Sequence, residues 1–195
     1  MSKIFGGISI VLALCTCTAA SAAIWYVNWS ASQTGDGTTW ASSFKTIQEG
    51  INAASDGHEV IVAQGTYVEN INFGEKNIIL RSTNPLNPNV VANTIIDGNH
   101  ADSVVTFYGT EGETWILSGF TIRNGETYSG GAGICGGKSY RQARARIENN
   151  VITSNSATAV TGDGGGAAYL GGIVQPVPAA AARRSITVPA RSRTI

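Results

Sequence analysis

Two stretches of this chain repeat one another. Residues 115–127 (WILSGFTIRNGET) and 146–158 (RIENNVITSNSAT) share Ile116 with Ile147, Asn124 with Asn155 and Thr127 with Thr158. Phe120 then falls on Val151, and Ser118-Gly119 falls on Asn149-Asn150. The offset is about 31 residues, inside the roughly 20–50 of stacked repeat architectures. Each copy reads as a short apolar strand, a two-residue polar corner, a second short strand and an Asn. The copies keep their direction, which suits parallel stacking. An antiparallel sandwich would rest on hairpins, for which Asp97-Gly98 and Asn124-Gly125 are the available turns. The expectation is that Ile116 and Ile147, and Asn124 and Asn155, sit one above the other on neighbouring coils. The asparagines would then bond side chain to side chain up the stack.

The rest of the chain reads as more of the same, with a different start. Residues 43–55 (SFKTIQEGINAAS) place Phe44, Ile47, Ile51 and Ala54 on one helical face. Ser42 or Ser43 is the expected N-cap, Gly50 weakens the helix, and Asp56-Gly57 ends it. A single amphipathic helix before a run of strands suggests an end cap, because the first coil of a stack has no neighbour on one side. Before it lie a strand at 24–27 and three tryptophans, Trp25, Trp29 and Trp40. Such a cluster can stack on sugars; the preferred reading is that it covers the open end of the core. Strands are expected at 60–63, 66–71, 77–82, 94–97 and 103–108. Residues 83–89 (TNPLNPN) read as a loop, since Pro85 and Pro88 cannot donate to a ladder. The glycine-rich runs 129–137 and 165–172 read as corners around short strands at 132–135 and 167–170. They lack the Lys-Ser/Thr ending and the helix of a phosphate-binding loop.

Thirteen basic and 13 acidic residues balance, so neither a nucleic-acid partner nor an acidic membrane surface is implied. The basic cluster 138–146 (KSYRQARAR) could hold an acidic polysaccharide, but reads better as a solvated loop. Residues 1–22 read as a secretory signal peptide. Lys3 begins it, an apolar run from 4 to 17 is short for a membrane span, and Ala20-Ser21-Ala22 is a small-residue cleavage pattern before Ala23. An uncleaved anchor and a lipoprotein processed at Cys15 or Cys17 are the weaker readings. After cleavage Cys135 stands alone, without a partner for an internal disulfide. The mature chain is then secreted or at the cell surface and does not span the membrane.

The expected organisation is a signal peptide at 1–22, strand and cap helix at 23–57, coils at 58–174, and an atypical Pro/Ala/Arg tail at 175–195, expected to be disordered. That tail abandons the repeat, so the chain is expected to be a fragment of a longer array, or its last stretch not native coding sequence.

Several of these segments resemble a known family. They are Tyr26-Val27, the run Gly35-Asp36-Gly37-Thr38-Thr39-Trp40, the helix, and 60–67 (VIVAQGTY), with Ile95-Ile96-Asp97-Gly98 and Asn149-Asn150-Val151-Ile152 further on. Together they resemble bacterial right-handed parallel β-helix proteins of the pectin-lyase-like superfamily. A looser likeness is to polymorphic outer-membrane protein repeats, which pair a Gly-Gly-Ala-aliphatic motif with Phe-x-x-Asn. Here Gly133 interrupts the first motif after Gly130-Gly131-Ala132, and Phe120 to Asn124 is one residue too long. The expected fold is therefore all-β: a right-handed parallel β-helix (solenoid) with an N-terminal capping α-helix.

Two functions follow from this reading. The resemblance implies polysaccharide lyases, which use Ca²⁺ and a basic residue, or hydrolases with paired carboxylates. Asp97, His100 and Asp102 around one turn, with Arg81 and Arg123 on strands, are the available material. Asp97 and Asp102 could offer two Ca²⁺ ligands, but Asp97-Gly98-Asn99 also reads as plain turn chemistry. No Asp-Asp pair appears. The preferred expectation is an exported, non-catalytic scaffold for adhesion or glycan binding, with no catalytic, cofactor-binding or metal-binding residue assigned. No cofactor is expected, Ca²⁺ entering only if the chain is lyase-like. The partner would be a polysaccharide or cell-surface glycan.

Overall fold

A computed structural model describes residues 22–107, 115–128, 131–136 and 146–157. The signal segment 1–21, most of the basic cluster, the run 165–172 and the tail lie outside the described residues. The chain is mostly β and its named strand pairs are all parallel. The strands are β1 (Ile24–Val27), β2 (Glu59–Val62), β3 (Gly65–Val68), β4 (Ile71–Asn72), β5 (Ile79–Ser82), β6 (Thr94–Asp97), β7 (Val105–Phe107), β8 (Ile116–Ser118), β9 (Thr121–Arg123), β10 (Glu126–Thr127), β11 (Ile134–Gly136), β12 (Arg146–Glu148), β13 (Val151–Thr153) and β14 (Ser156–Ala157). They form four sheets, ordered β1-β2-β5-β8-β12, β3-β6-β9-β13, β4-β7-β11 and β10-β14. From β2 to β9 the chain visits the first three sheets in turn and returns to the first; after β9, and again after β13, it enters the fourth sheet.

This order explains the short strands. Each contributes one or two inward side chains, and these stack into columns. Trp25, Val60, Leu80, Leu117 and Ile147 align across the first sheet. Tyr67, Ile96, Ile122 and Ile152 align across the second, and Ile71, Val105 and Ile134 across the third. Most of these side chains are buried in a single cluster. Burying such a side chain stabilises by about 1.5–3 kcal/mol before the entropy of ordering it is subtracted.

The register corrects the repeat alignment by one residue. Arg146 pairs with Ile116, Ile147 with Leu117, and Ile152 with Ile122. The true offset is 30, the separation of Phe120 from Asn150. A one-residue slip would turn every side chain to the other face, so burial decides. At an offset of 31 the buried Ile122 would lie beneath the outward Thr153. The corners agree. Gly119 and Asn149 both have positive φ (86° and 58°), as do Asn124 and Ser154 (57° and 54°).

The expected asparagine ladder is corrected too. Asn155 lies over Gly125, not Asn124. Its Oδ1 accepts Gly125 N–H at 2.8 Å and its Nδ2 donates to the Ile122 carbonyl at 3.1 Å. Asn150 does the same one corner earlier, accepting from Phe120 N–H and donating to the Leu117 carbonyl, both at 2.8 Å. At a corner the backbone leaves the sheet and loses its ladder partners, so a side-chain amide from the neighbouring parallel segment supplies them.

The cap helix is shorter than expected. α1 spans Ile47–Ala53, and its N-cap is Thr46, in a capping box with Glu49. Neither Ser42 nor Ser43 is the cap, because Ser42 lies in a turn, Phe44 is bridged to β1 and the helix begins only at Ile47. Phe44 bridges to Val27, and its N–H donates to the Tyr26 carbonyl at 2.9 Å. This segment lies along β1 and occupies its outer edge. Ile47, Ile51 and Ala54 are buried. Gly50 has a packing reason: a Cβ there would lie 2.8 Å from Val60 and 2.9 Å from Val27. The helix thus sits directly on β1 and β2.

Two strand boundaries also change. The run 66–71 divides into β3 and β4 around Glu69-Asn70, because the chain turns from one sheet to the next there. The loop expected at 83–89 runs into a second helix, α2 (Pro88–Asn93), with Asn87 as N-cap. Pro88 takes a first-turn position, where its missing N–H costs nothing. The helix covers part of the second sheet from outside, and Thr121 Oγ1 donates to the Val91 carbonyl at 2.9 Å.

Candidate functional site

The turn after β6 gathers the polar side chains singled out in the sequence. Asp97 ends β6 and pairs in register with Arg123 on β9. Its Oδ2 accepts from Arg123 Nε at 2.8 Å and from Asn124 Nδ2 at 2.9 Å. Its Oδ1 accepts Asn99 N–H at 3.0 Å. Asn99 and His100 both have left-handed backbones (φ 49° and 56°), so the turn is tight. Burial pushes the Asp97 carboxyl up, but the bonds from Asn99, Asn124 and Arg123 outweigh it and hold it below the usual carboxylate range.

The remaining groups do not converge on Asp97. Asp102 turns Oδ1 to the N–H of Ser103 at 2.7 Å. His100 Nδ1 faces Glu126 Oε2 at 3.3 Å in an exposed pair, worth little in water. Arg81 lies on the first sheet. It pairs with Glu59 across β5 and β2, and donates to the carbonyls of Ser82 and Thr83 at 3.1 and 3.3 Å. Arg123 is on the second sheet, so the two arginines serve different faces. Among the described residues no group of three or more His, Cys, Asp or Glu could hold a metal ion. The arrangement braces a corner, with donors meeting each oxygen of Asp97.

The tryptophans separate into two kinds. Trp25 covers the end of the core, as expected. It packs beside Phe44, ring centroids 6.0 Å apart, and its Nε1 donates to His58 Nδ1 at 3.1 Å. Trp29 and Trp40 do not follow that reading, being 51% and 43% exposed. Trp40 rests on Tyr26, ring centroids 4.7 Å apart. Trp29 lies along Gly65, at the corner between β2 and β3. Nothing in the sequence separated these three roles, because the corner that seats Trp29 lies 35 residues further on.

The residues of the basic cluster before Arg146 lie outside the described residues. Arg146 itself pairs with Glu148 at 3.1 Å. Cys135 is a free thiol. Among the described residues no helix is long and apolar enough to cross a membrane. Comparison of the chain with protein-family models, with curated proteins and with solved structures gives no match.

Proposed function

We propose that this chain is an exported, non-catalytic scaffold: a right-handed parallel β-helix of the pectin-lyase-like kind, capped by α1, that presents its outer faces to polysaccharide or cell-surface glycans. The recurrent passage through three sheets in parallel register supports the β-helix reading. Right-handed crossovers between parallel strands are strongly favoured, which supports the hand. The signal-like residues 1–22 support export.

The observation that carries the non-catalytic reading is the state of Asp97. Three donors already occupy its carboxylate, whereas a Ca²⁺ site needs several oxygens converging with free lone pairs. The test is an absorbance assay for unsaturated products on polygalacturonate, with and without Ca²⁺, beside a glycan-binding array. Glycan capture without product formation is the expected result. A Ca²⁺-dependent product signal that disappears in Asp97→Ala would replace this reading with a polysaccharide lyase.

A further inference from the structure

An indole exposed at a surface normally samples several rotamers. Trp29 is held instead at three points. Its Nε1 donates to the Gln64 carbonyl at 3.1 Å. Its backbone N–H donates to Tyr67 Oη at 3.3 Å. Tyr67 is 2% exposed, and its hydroxyl donates in turn to the Ala63 carbonyl at 2.9 Å. The third point is Gly65. A Cβ there would fall 1.7 Å from Trp29 Cδ1 and 1.9 Å from Nε1, so only glycine lets the ring lie on the backbone. The ring packs on the Gly65 backbone, yet the residue stays 51% exposed, so part of it is open to solvent.

We infer that Trp29 is a preorganised platform for a neutral sugar ring, an assignment that rests on the glycan-binding reading above. The chemistry of the surroundings selects the ligand. A pyranose has a C–H face that stacks on an aromatic ring and hydroxyls at its rim. Gln64 and Thr66 flank Gly65, and Ser30 follows Trp29; all three are exposed and carry amide or hydroxyl groups. Residues 28–34 and 63–68 contain no Asp, Glu, Lys or Arg. A uronate carboxylate would find no cation in these two segments, so they suit a neutral glycan better than an acidic one. Because the ring is fixed before binding, little rotamer entropy is lost when the sugar arrives.

The experiment is calorimetric titration of the whole chain with a neutral β-1,4-glucan hexamer and with an oligogalacturonate of the same length. The neutral hexamer is expected to bind and the oligogalacturonate to bind more weakly. Trp29→Ala should lower affinity for the neutral hexamer roughly tenfold, and Trp29→Phe should lose less. Gln64→Ala removes a rim amide and keeps the backbone carbonyl that holds the indole. It should weaken binding with an unchanged melting curve, which keeps the test valid if Trp29→Ala fails to fold. Wild-type affinity in a folded Trp29→Ala would overturn the site and leave the glycan-binding reading standing. Preference for the oligogalacturonate would overturn the neutral-sugar assignment. If neither sugar bound and a glycan array were also blank, both the site and the broader reading would fall.

Discussion

Asp97 shows what one residue does in this protein. Its carboxyl is held below the ordinary range in the folded chain. A depressed folded value stabilises above the unfolded value, about 3.9, and that stability is lost as pH falls through the folded value. Denaturation followed from pH 6 downward should therefore show a steeper loss in the wild type than in Asp97→Asn. At neutral pH the substitution should cost about 1–2 kcal/mol, since Arg123 and Asn124 lose a charged acceptor that is only 12% exposed. Urea titration at pH 7 checks this. The sequence showed Asp97 and Arg123 as separate polar residues on two strands. Their pairing was not legible, because it depends on how far the turn after β6, then β7 and β8, carry the chain before β9. Gly65 was likewise visible only as one of two residues between expected strands, and its reason lies in the indole of Trp29.

At the scale of elements, α1 was readable as a helix and misread at its start. Ile47, Ile51 and Ala54 line the buried face the spacing implied. Phe44 shares that spacing but is held by β1. The capping box Thr46-Ile47-Gln48-Glu49 was present in the sequence, yet Ser42 and Ser43 competed as caps. Thr46→Ala should lower stability by about 1 kcal/mol in thermal or urea unfolding, without changing the fold. The helix is also tied to the turn between β3 and β4. Glu69, at the corner between β3 and β4, accepts Ile47 N–H at 2.9 Å and Gln48 N–H at 3.0 Å. Burial pushes the Glu69 carboxyl up, and the two backbone bonds only partly oppose it. A raised carboxyl favours the fold below its unfolded value, and this contribution is lost as pH rises through the folded value, the opposite sense to Asp97. The second helix was missed because two prolines were read as ladder breakers. Asn87-Pro88 is also an N-cap and first-turn signature, and it was the signal available.

Across the whole molecule, stability runs through the columns. Leu117 lies in the middle of one, between Leu80 and Ile147, and is fully buried. Leu117→Ala should cost about 2–5 kcal/mol, read as a drop in the urea midpoint, because a rung cannot collapse without shifting its parallel neighbours. The stack also needs its first edge covered, and the segment from Gly35 to Phe44 does this along β1 with backbone bonds such as Tyr26 N–H to the Gly37 carbonyl at 2.8 Å. The amino-acid sequence alone determined that the chain is β-rich, that its strands are short and repeated in one direction, and that a helix lies between the first strand and the rest. These properties live in local periodicity and in glycine and asparagine punctuation, which neighbouring residues suffice to express. Only the tertiary structure decided the register of 30 rather than 31, the bridging of corners by Asn150 and Asn155, and the division of three similar tryptophans into a core cover and two exposed rings. Each of those depends on which residue a neighbouring strand or turn places opposite, and that contact is set by burial across the parallel sheets.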